Sequence, residues 1–411
     1  MNIINNRVTT EPPVAIALKA VIIKKLIVQN ISFCVIFNIM ANLFDYIKWR
    51  GDICFSASPF NPVDNIIISQ LSYLTLDGIV PSPDDKTSIS IALAVRVFNE
   101  RLKSKESIKL TSVFKEDPDL IRALGASRRF GNCQLFGYIN QLDTNLELQF
   151  AALCINTNDG YNSISFRGTD SSLVGWKEDF NMCFKDVVPS QLEAVKYLDE
   201  MAPKIKGKLR VGGHSKGGNL AIYAASNCKK SIRKRIKVIY NNDAPGFNEK
   251  FITSAGFLAV KDRIQSYVPQ SSVIGMFMEH GKSNIIIKSS ESGIMQHCLY
   301  SWEVTHNDLV RAEKSTISSR FINKTVREWI NSHDYSQREK FIEALYYIFK
   351  AADVKSTTDF ENSWFSSAGK VLKSLGNVDE STRKFIRKTI AELFVTAGRN
   401  LHTLHQGSED S

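Results

Sequence analysis

One serine lies in a sequence pattern that could make it a nucleophile. The segment Gly213-His214-Ser215-Lys216-Gly217 fits G-x-S-x-G, the nucleophile elbow in which a strained turn lifts a serine hydroxyl above the carboxyl end of a parallel strand. An apolar strand pattern at 209–212 precedes the serine, and a helical pattern follows it. A glycine-rich tight turn with an incidental serine would give the same five residues, but the strand-turn-helix context favours the elbow.

A serine hydroxyl is a poor nucleophile at neutral pH and needs a base that takes its proton. In chains whose nucleophile sits on such an elbow, the order is serine, acid, histidine. His297 follows the last predicted strand and is our candidate base, with His306 as the next contender. We expect His280, which precedes that strand, to be a surface or lid residue, and His214 to point away from the base.

The acid that orients the base is sought between the serine and the histidine. Asp243 lies just past the predicted strand 236–240, a position from which a carboxylate can reach the histidine. Asp262 precedes the following strand and would lie at the opposite edge of the sheet. Asp243 could instead cap the helix that opens near Pro245, but we predict that it is the acid.

Two backbone amides are needed for the oxyanion that forms during acyl transfer. The amide of Lys216, directly after the nucleophile, is one candidate. The other should come from the loop after an earlier strand, and the segment 165–170 is such a loop. Farther on, Asp179 could fold back and hold the hydroxyl of Thr169; the alternative is a plain turn followed by an amphipathic helix.

The elements that would position these residues form an α/β pattern. Predicted strands cover 134–139, 146–155 and 163–167, and Asn158-Asp159-Gly160 between the last two is a hairpin signal. After that hairpin, helices alternate with strands at 209–212, 236–240, 264–268 and 285–288. This alternation predicts a mostly parallel central sheet with an antiparallel start, covered by helices.

The two ends of the chain differ in character from the middle. Residues 1–39 contain an apolar but lysine-interrupted run; we expect them to be an upstream extension, with Met40 as the biological start, and a weak membrane anchor is the alternative. We assign 40–310 to the catalytic domain and 311–411 to a helical extension, because amphipathic helix patterns replace strands there. A separate helical domain would give the same patterns.

Composition narrows the compartment and the partners. The 411 residues are 43% hydrophobic and 23% charged, as in a globular protein. The net charge of +10 comes from scattered lysines and arginines without a nucleic-acid motif. Seven widely spaced cysteines without a C-x-x-C pair argue against disulfides and zinc and favour the cytoplasm. We predict no metal and no organic cofactor, no nucleic-acid partner, and allow a peripheral membrane contact.

The chemistry-bearing segments resemble the class 3 lipases, the fungal triacylglycerol type of α/β-hydrolase. The matching segments are Phe166-Arg167-Gly168-Thr169 with Trp176 and Asp179, and Gly213-His214-Ser215-Lys216-Gly217-Gly218. The resemblance implies that Thr169 supplies an oxyanion amide and hydroxyl, that Asp179 supports it, and that Ser215 is the nucleophile.

Further segments resemble a group of uncharacterised bacterial lipase-like proteins more closely. They are Trp49-Arg50-Gly51-Asp52, Pro59-Phe60-Asn61, Asp64-Asn65, Asn242-Asp243-Ala244-Pro245-Gly246-Phe247, Val268-Pro269-Gln270-Ser271-Ser272, and Gln296-His297 with Ser301-Trp302. One departure from class 3 lipases matters: the segment 268–273, where that family carries its acid, holds no carboxylate. The acid must therefore come from elsewhere, which favours Asp243, or the triad is incomplete.

Together these residues predict a serine hydrolase that cleaves a carboxylic ester through Ser215, His297 and Asp243. The resemblance implies a small-molecule or lipid ester as substrate, and the apolar run 273–278 could line an acyl pocket, form a lid or belong to the core. The competing hypotheses are an enzyme that uses another acyl substrate or acceptor, and a non-catalytic protein of the same fold that binds an acyl ligand or a protein partner.

Overall fold

The computed structural model describes residues 40–103, 114–170, 173–182, 185–272, 274–276, 278, 280–281 and 283–316, with single positions or short runs between 321 and 340 and between 380 and 395. The predicted upstream extension 1–39 lies outside the described residues, as does most of the predicted helical extension 311–411. The division into these regions stays a prediction.

The centre of the fold is one sheet whose strands lie side by side in chain order. The first four strands pair antiparallel and the remaining ones run parallel from β4 onward. The prediction of a mostly parallel sheet with an antiparallel start is confirmed. The strands are β1 Ile89–Ser90, β2 Gln134–Asp143, β3 Leu148–Asn156, β4 Tyr161–Phe166, β5 Lys208–His214, β6 Ile236–Asn242, β7 Ile264–Pro269 and β8 Ile285–Ile287.

The change from antiparallel to parallel pairing follows the predicted hairpin. Asn158 and Gly160 have φ angles of 58° and 82°, which Asn and Gly adopt at low cost. They connect β3 to β4 with antiparallel register. From β4 onward each strand returns through helical segments, as parallel neighbours require.

Helices cover the sheet. Two early ones begin with capping boxes, in which Asn42 and Asn61 accept from the helix amides while Asp45 and Asp64 accept from the caps in return. The helices are α1 Leu43–Arg50, α2 Pro62–Leu71, α3 Ile91–Lys103, α4 Asp117–Ala126, α5 Leu173–Met182, α6 Pro189–Met201, α7 Lys216–Asn227, α8 Lys230–Arg235, α9 Glu249–Ile252 and α10 Ala255–Leu258.

Two adjacent glycines of β5 show how the layers are arranged. A Cβ on Gly212 would lie 3.3 Å from the Asn65 side chain of α2, whereas a Cβ on Gly213 would lie 2.5 Å from the backbone of Gly217 in α7. Successive strand residues point to opposite faces. Helices α2 and α7 therefore pack on opposite faces of the sheet, and β5 is buried between them.

The core on the α6 and α7 face is apolar and aromatic. The rings of Phe150, Phe166 and Tyr197 lie with centroids 6.0–6.1 Å apart, a separation at which edge-to-face pairs are favourable. Helix α7 adds Leu220 and Ala224, both fully buried. This packing holds the start of α7, and with it Ser215, against β4 and β5. Of the helices in the described part of the chain, none is both long and apolar enough to span a bilayer.

Candidate active site

Ser215 lies between β5 and α7 in a strained backbone conformation. Its φ and ψ are 56° and −134°, a region that non-glycine residues enter at a cost of about 1–3 kcal/mol. Its amide donates to the carbonyl of Asn242 at the end of β6 (2.9 Å). The side chain is mostly buried, with the residue 8% exposed. The serine is therefore held at the carboxyl edge of the sheet by its neighbouring strand.

Close approach of the backbone explains the glycines around Ser215. A Cβ on Gly213 would lie 2.4 Å from the carbonyl oxygen of Phe166, and one on Gly217 would lie 2.1 Å from the same oxygen. Both distances are shorter than any real carbon contact. The elbow thus packs directly on the end of β4, where the loop 167–170 begins.

Asp243 and His297 meet at the same edge of the sheet. The Nδ1 atom of His297 lies 2.7 Å from Oδ2 of Asp243. Because an ionised carboxylate only accepts, Nδ1 carries the proton, and Nε2 of the neutral ring is left as the basic nitrogen. Asp243 is fully buried, whereas the His297 side chain is 21% exposed. This hydrogen bond orients the ring in the way that a general base requires.

Asp243 is itself oriented by its surroundings. It follows β6 with a φ of 54°, and its amide donates to the carbonyl of Tyr267 on β7 (2.8 Å). The hydroxyl of Ser272 donates to its second oxygen, Oδ1 (2.6 Å). Ser272 belongs to the segment that lacks the family's expected carboxylate, so this segment supplies a hydrogen-bond donor to Asp243.

His214 contacts His297, and our prediction that it points away is wrong. The two rings have centroids 4.4 Å apart, and Nε2 of His214 lies 2.7 Å from the carbonyl oxygen of His297. A carbonyl only accepts, so Nε2 of His214 is the donor. Burial lowers the pKa of His214 well below its usual value, so the ring is neutral and its Nδ1 accepts from the Tyr73 hydroxyl (2.9 Å).

The loop after β4 passes beside Ser215. A Cβ on Gly168 would lie 3.0 Å from the Ser215 Cβ and 2.1 Å from the Tyr73 hydroxyl oxygen, and the Gly168 backbone hydrogen-bonds to that hydroxyl. The next residue, Thr169, donates its hydroxyl proton to Oδ2 of Asp179 on α5. The predicted contact between these two residues is present, and the segment around Asp179 is also helical, so the two interpretations of it are compatible.

Asp179 titrates unusually because of its environment. Burial raises the pKa of Asp179 to about 6, against the lowering effects of the nearby Lys216 charge and of the Thr169 hydrogen bond. Lys216 begins α7 directly after Ser215, and its side chain is buried rather than exposed. No sequence pattern indicated that the Lys216 side chain is buried, because lysine side chains are ordinarily exposed.

The alternative histidines and acid lie elsewhere. His280 is partly exposed with a buried Nε2 atom, so the prediction of a surface or lid residue stays open; burial lowers its pKa to about 4, opposed by the charge of Asp243. The loop around it packs over Asp243, since a Cβ on Gly275 would lie 2.0 Å from Oδ1 of that residue. His306 is exposed, and Asp262 precedes β7, at the edge of the sheet opposite Asp243.

The apolar segment 273–278 is only partly described. Positions 273 and 277 lie outside the described residues, and Ile274–Met276 form a short helical turn. The Gly275 amide in that turn donates to the Ser272 hydroxyl (2.9 Å). The described part of the segment therefore supports the Asp243 side chain through Ser272.

Within the described residues, no cluster of three or more His, Cys, Asp or Glu side chains could hold a metal ion. The described cysteines that carry free thiols are Cys54, Cys133, Cys154, Cys228 and Cys298.

Comparison with known proteins gives a family match. A family model described as Mbeg1-like matches residues 124–347, more than half of the chain, and this range includes Thr169, Ser215, Asp243 and His297. Curated protein sequences give no significant match.

Several solved lipase structures are similar to parts of the chain. Lip2 lipase from Yarrowia lipolytica is 9% identical with a TM-score of 0.33, covering 64% of this chain and 91% of that chain. The Rhizomucor miehei lipase propeptide complex is 15% identical with a TM-score of 0.31, covering 56% and 73%. M37 lipase is 15% identical with a TM-score of 0.31, covering 53% and 70%.

Proposed function

The chain belongs to the Mbeg1-like family, and we propose that it is a serine hydrolase that cleaves a carboxylic ester. The observation that carries the proposal is the 2.7 Å contact between Asp243 and His297 at the edge of the sheet where Ser215 occupies a strained elbow. The proposed acid, base and nucleophile come from segments far apart in the sequence.

In the proposed mechanism Ser215 Oγ attacks the ester carbonyl carbon while its proton passes to His297 Nε2. Asp243 accepts from Nδ1 and stabilises the imidazolium that forms. Backbone amides of Thr169 and Lys216 donate to the oxyanion of the tetrahedral intermediate. The intermediate collapses, the C–O bond to the alcohol breaks, and the alcohol leaves with the proton from His297.

A water molecule completes the cycle by the same route. His297 takes a proton from water as the water oxygen attacks the acyl carbon. The second tetrahedral intermediate then collapses, the bond from the acyl carbon to Ser215 Oγ breaks, and His297 gives its proton to Oγ as the carboxylic acid leaves. We propose that the ester is lipid-like, which rests on the resemblance of the sequence to class 3 lipases and on the apolar segment 273–278. The predicted cytoplasmic location and peripheral membrane contact stay predictions.

Labelling with a fluorophosphonate probe tests the proposal without knowledge of the substrate. We expect the wild-type protein to be labelled at Ser215, and both Ser215→Ala and His297→Ala to lose the label while remaining folded by circular dichroism. Ser226→Ala is the matched control, because Ser226 also lies on α7 and its hydroxyl donates to the Ile222 carbonyl (2.8 Å), within the same helix. Folded wild-type protein without label would contradict the proposal and favour a non-catalytic acyl-binding protein.

A panel of p-nitrophenyl esters with short and long acyl chains then tests the substrate class. A lipid-like substrate predicts higher kcat/KM for the long chains, since each buried methylene contributes about 0.8 kcal/mol. Equal or lower values for the long chains would count against a lipid ester and leave a small-molecule esterase.

A further inference from the structure

The side chain of Lys216 is the most deeply buried cation near the candidate site. It is 0% exposed, and its ammonium nitrogen lies within hydrogen-bond distance of three oxygens. These are the Gln149 carbonyl (2.8 Å), the Gln149 side-chain oxygen (2.5 Å) and Oε2 of Glu178 (2.9 Å). An ammonium has three protons to donate, so each one has an acceptor. Lys216 thereby joins the elbow to β3 and α5.

The side chain of Glu178 is as fully buried as that of Lys216, and both of its oxygens accept hydrogen bonds. Its Oε2 also accepts from the Gln149 amide (3.2 Å), and its Oε1 accepts from the Ser190 amide at the start of α6 (2.8 Å). Because donors from β3, α6 and Lys216 contact both oxygens, the orientation of this carboxylate is fixed. The ion pair therefore fixes where α5 lies relative to Ser215.

The residue after Glu178 on the same helix is Asp179, which accepts from Thr169. Lys216 thus carries one proposed oxyanion amide on its backbone, and its side chain holds the helix that anchors the other. We propose that the Lys216–Glu178 ion pair is a positioning device that sets the distance between the two oxyanion donors. This inference rests on the proposed serine hydrolase function.

Two physical considerations favour a positioning role over simple stabilisation. A buried ion pair is seldom more stable than a well-packed apolar pair of similar volume, because desolvation offsets the attraction. It is, however, directional, and oxyanion donors must lie about 2.7–3.1 Å from the oxyanion to be effective. Because Glu178 and Asp179 are consecutive on α5, a shift of the helix would disturb the contact with Lys216 together with the contact with Thr169, so the ion pair opposes the motion that would displace Thr169.

The charge of Lys216 also acts on Asp179. Burial of Asp179 raises its pKa to about 6, and Lys216 opposes that rise. Without the ammonium, Asp179 would take up a proton at a higher pH and lose its ability to accept from Thr169 as an ionised group. The pair therefore supports the position of Asp179, and its Lys216 member also supports the charge, whereas the neighbouring Glu178 charge raises the pKa of Asp179.

The test replaces the pair with neutral side chains of similar size, Lys216→Met with Glu178→Gln, so that no charge is left buried alone. We expect the double variant to fold. The rate constant for covalent labelling by the fluorophosphonate, kinact, should fall about 10²-fold, while the dissociation constant of the reversible probe complex, KI, should change little. An effect confined to kinact marks a group that acts in the transition state, whereas a loss of ground-state binding would raise KI. The acid limb of the pH profile of kinact should also move to higher pH, because the Lys216 charge lowers the pKa of Asp179 more than the Glu178 charge raises it.

The matched control is Arg210→Met with Asp159→Asn. This ion pair is also largely buried, with side chains 9% and 11% exposed and a contact of 2.6 Å, but it lies toward the amino end of β5, away from Ser215. We expect kinact of the folded control to equal that of the wild type. A loss of kinact in the control as large as in the Lys216 variant would overturn the inference, because it would make the effect a general one.

Two further outcomes are decisive. If the double variant folds and is labelled at the wild-type rate, the pair has no positioning role. If it does not fold, Glu178→Gln alone keeps an acceptor for Lys216. Because the Glu178 charge raises the pKa of Asp179, this single variant should lower kinact about tenfold and move the acid limb of its pH profile to lower pH. An unchanged kinact there would overturn the inference. Absence of label on the wild-type protein would instead refute the proposed function itself.

Discussion

Two carboxylates of the candidate site, Asp243 and Asp179, are held in different ways. Asp243 sits at the end of β6 with a φ of 54° and is oriented by hydrogen bonds from His297 and Ser272. Asp179 sits within α5 and accepts from Thr169, with the cation of Lys216 nearby. The first carboxylate depends on loop conformation, and the second depends on the placement of a helix.

The two partners differ in what happens to their charge. In the proposed mechanism His297 becomes an imidazolium, so Asp243 faces a developing positive charge. Thr169 stays neutral throughout, so Asp179 only holds a hydroxyl and its backbone in place. The comparison predicts that removing the negative charge should cost far more at Asp243 than at Asp179.

Asp243→Asn should give the largest effect of any carboxylate substitution in the chain. An asparagine of the same shape favours the wrong histidine tautomer, which in a serine triad lowers turnover about 10⁴-fold. We expect kinact to fall by that order while the melting temperature changes little. The control is Asp262→Asn, the other acid that the chain order allowed, which should react at the wild-type rate.

The proposed role of Asp243 would be contradicted if Asp243→Asn kept kinact within about tenfold of the wild type, which corresponds to a change of about 1.4 kcal/mol in activation free energy. Asp243 would then be a structural residue of the turn after β6. A loss in Asp262→Asn instead would transfer the role to the opposite edge of the sheet.

Strand order and motif spacing predicted much of this arrangement. Parallel strands bring their carboxyl ends to one edge, so a carboxylate after β6 and a histidine after β8 could be placed near Ser215 from the chain alone. The hairpin at 158–160 and the strands could also be predicted from the sequence, because turn residues and runs of β-branched residues favour these structures through local backbone preferences.

The supporting contacts could not be predicted in the same way. The side chain of Lys216 meets partners 38 and 67 residues away in the sequence, and Tyr73 meets His214 across 141 residues. Burial of a lysine, or a hydrogen bond to a distant carbonyl, leaves no periodic trace in a sequence. Such contacts depend on how layers pack, which is decided by the whole fold.

Asp179→Ala should have a smaller effect than Asp243→Asn. Loss of the acceptor frees the Thr169 hydroxyl and loosens the loop that carries the proposed oxyanion amide, and removing one oxyanion donor costs about 10²–10³-fold in turnover. We expect kinact to fall by about 10²-fold, with partial recovery in Asp179→Asn, which retains an acceptor. Asp186→Ala, an exposed aspartate paired with Lys250, is the control and should leave kinact unchanged. A larger loss at Asp179 than at Asp243 would reverse the comparison.

Another buried carboxylate, in the part of the chain that the structure describes, contacts neither a cation nor a proposed reacting group. Asp117 on α4 accepts from Gln70 (2.6 Å) and from the Tyr300 hydroxyl (2.6 Å) through one oxygen. In the described part of the chain its other oxygen is buried without a hydrogen-bond partner. Burial raises the pKa of Asp117 to about 7, so the group is protonated in the folded state at a pH where the unfolded chain has lost that proton.

The sign of the resulting pH dependence follows from linkage. Between pH 3.8, the reference value, and about 7, the folded state binds more protons than the unfolded state, so the stability that this group contributes is lost as pH rises through that window. Asp117→Asn removes the titration. We expect the unfolding free energy of the variant, relative to wild type, to increase by up to about 1.4 kcal/mol per pH unit across the window, measured by urea denaturation.

Asp117→Asn should leave kinact unchanged. Of the substitutions at Asp243, Asp179 and Asp117, it should therefore have the smallest effect on reactivity. A constant difference in stability between pH 4 and pH 7 would mean that Asp117 titrates normally and that burial alone does not raise its pKa. A pH-dependent difference with unchanged kinact would show that burial of a carboxylate does not by itself make it important for the reaction, and that Asp179 and Asp243 are distinguished by the group that each one holds near Ser215.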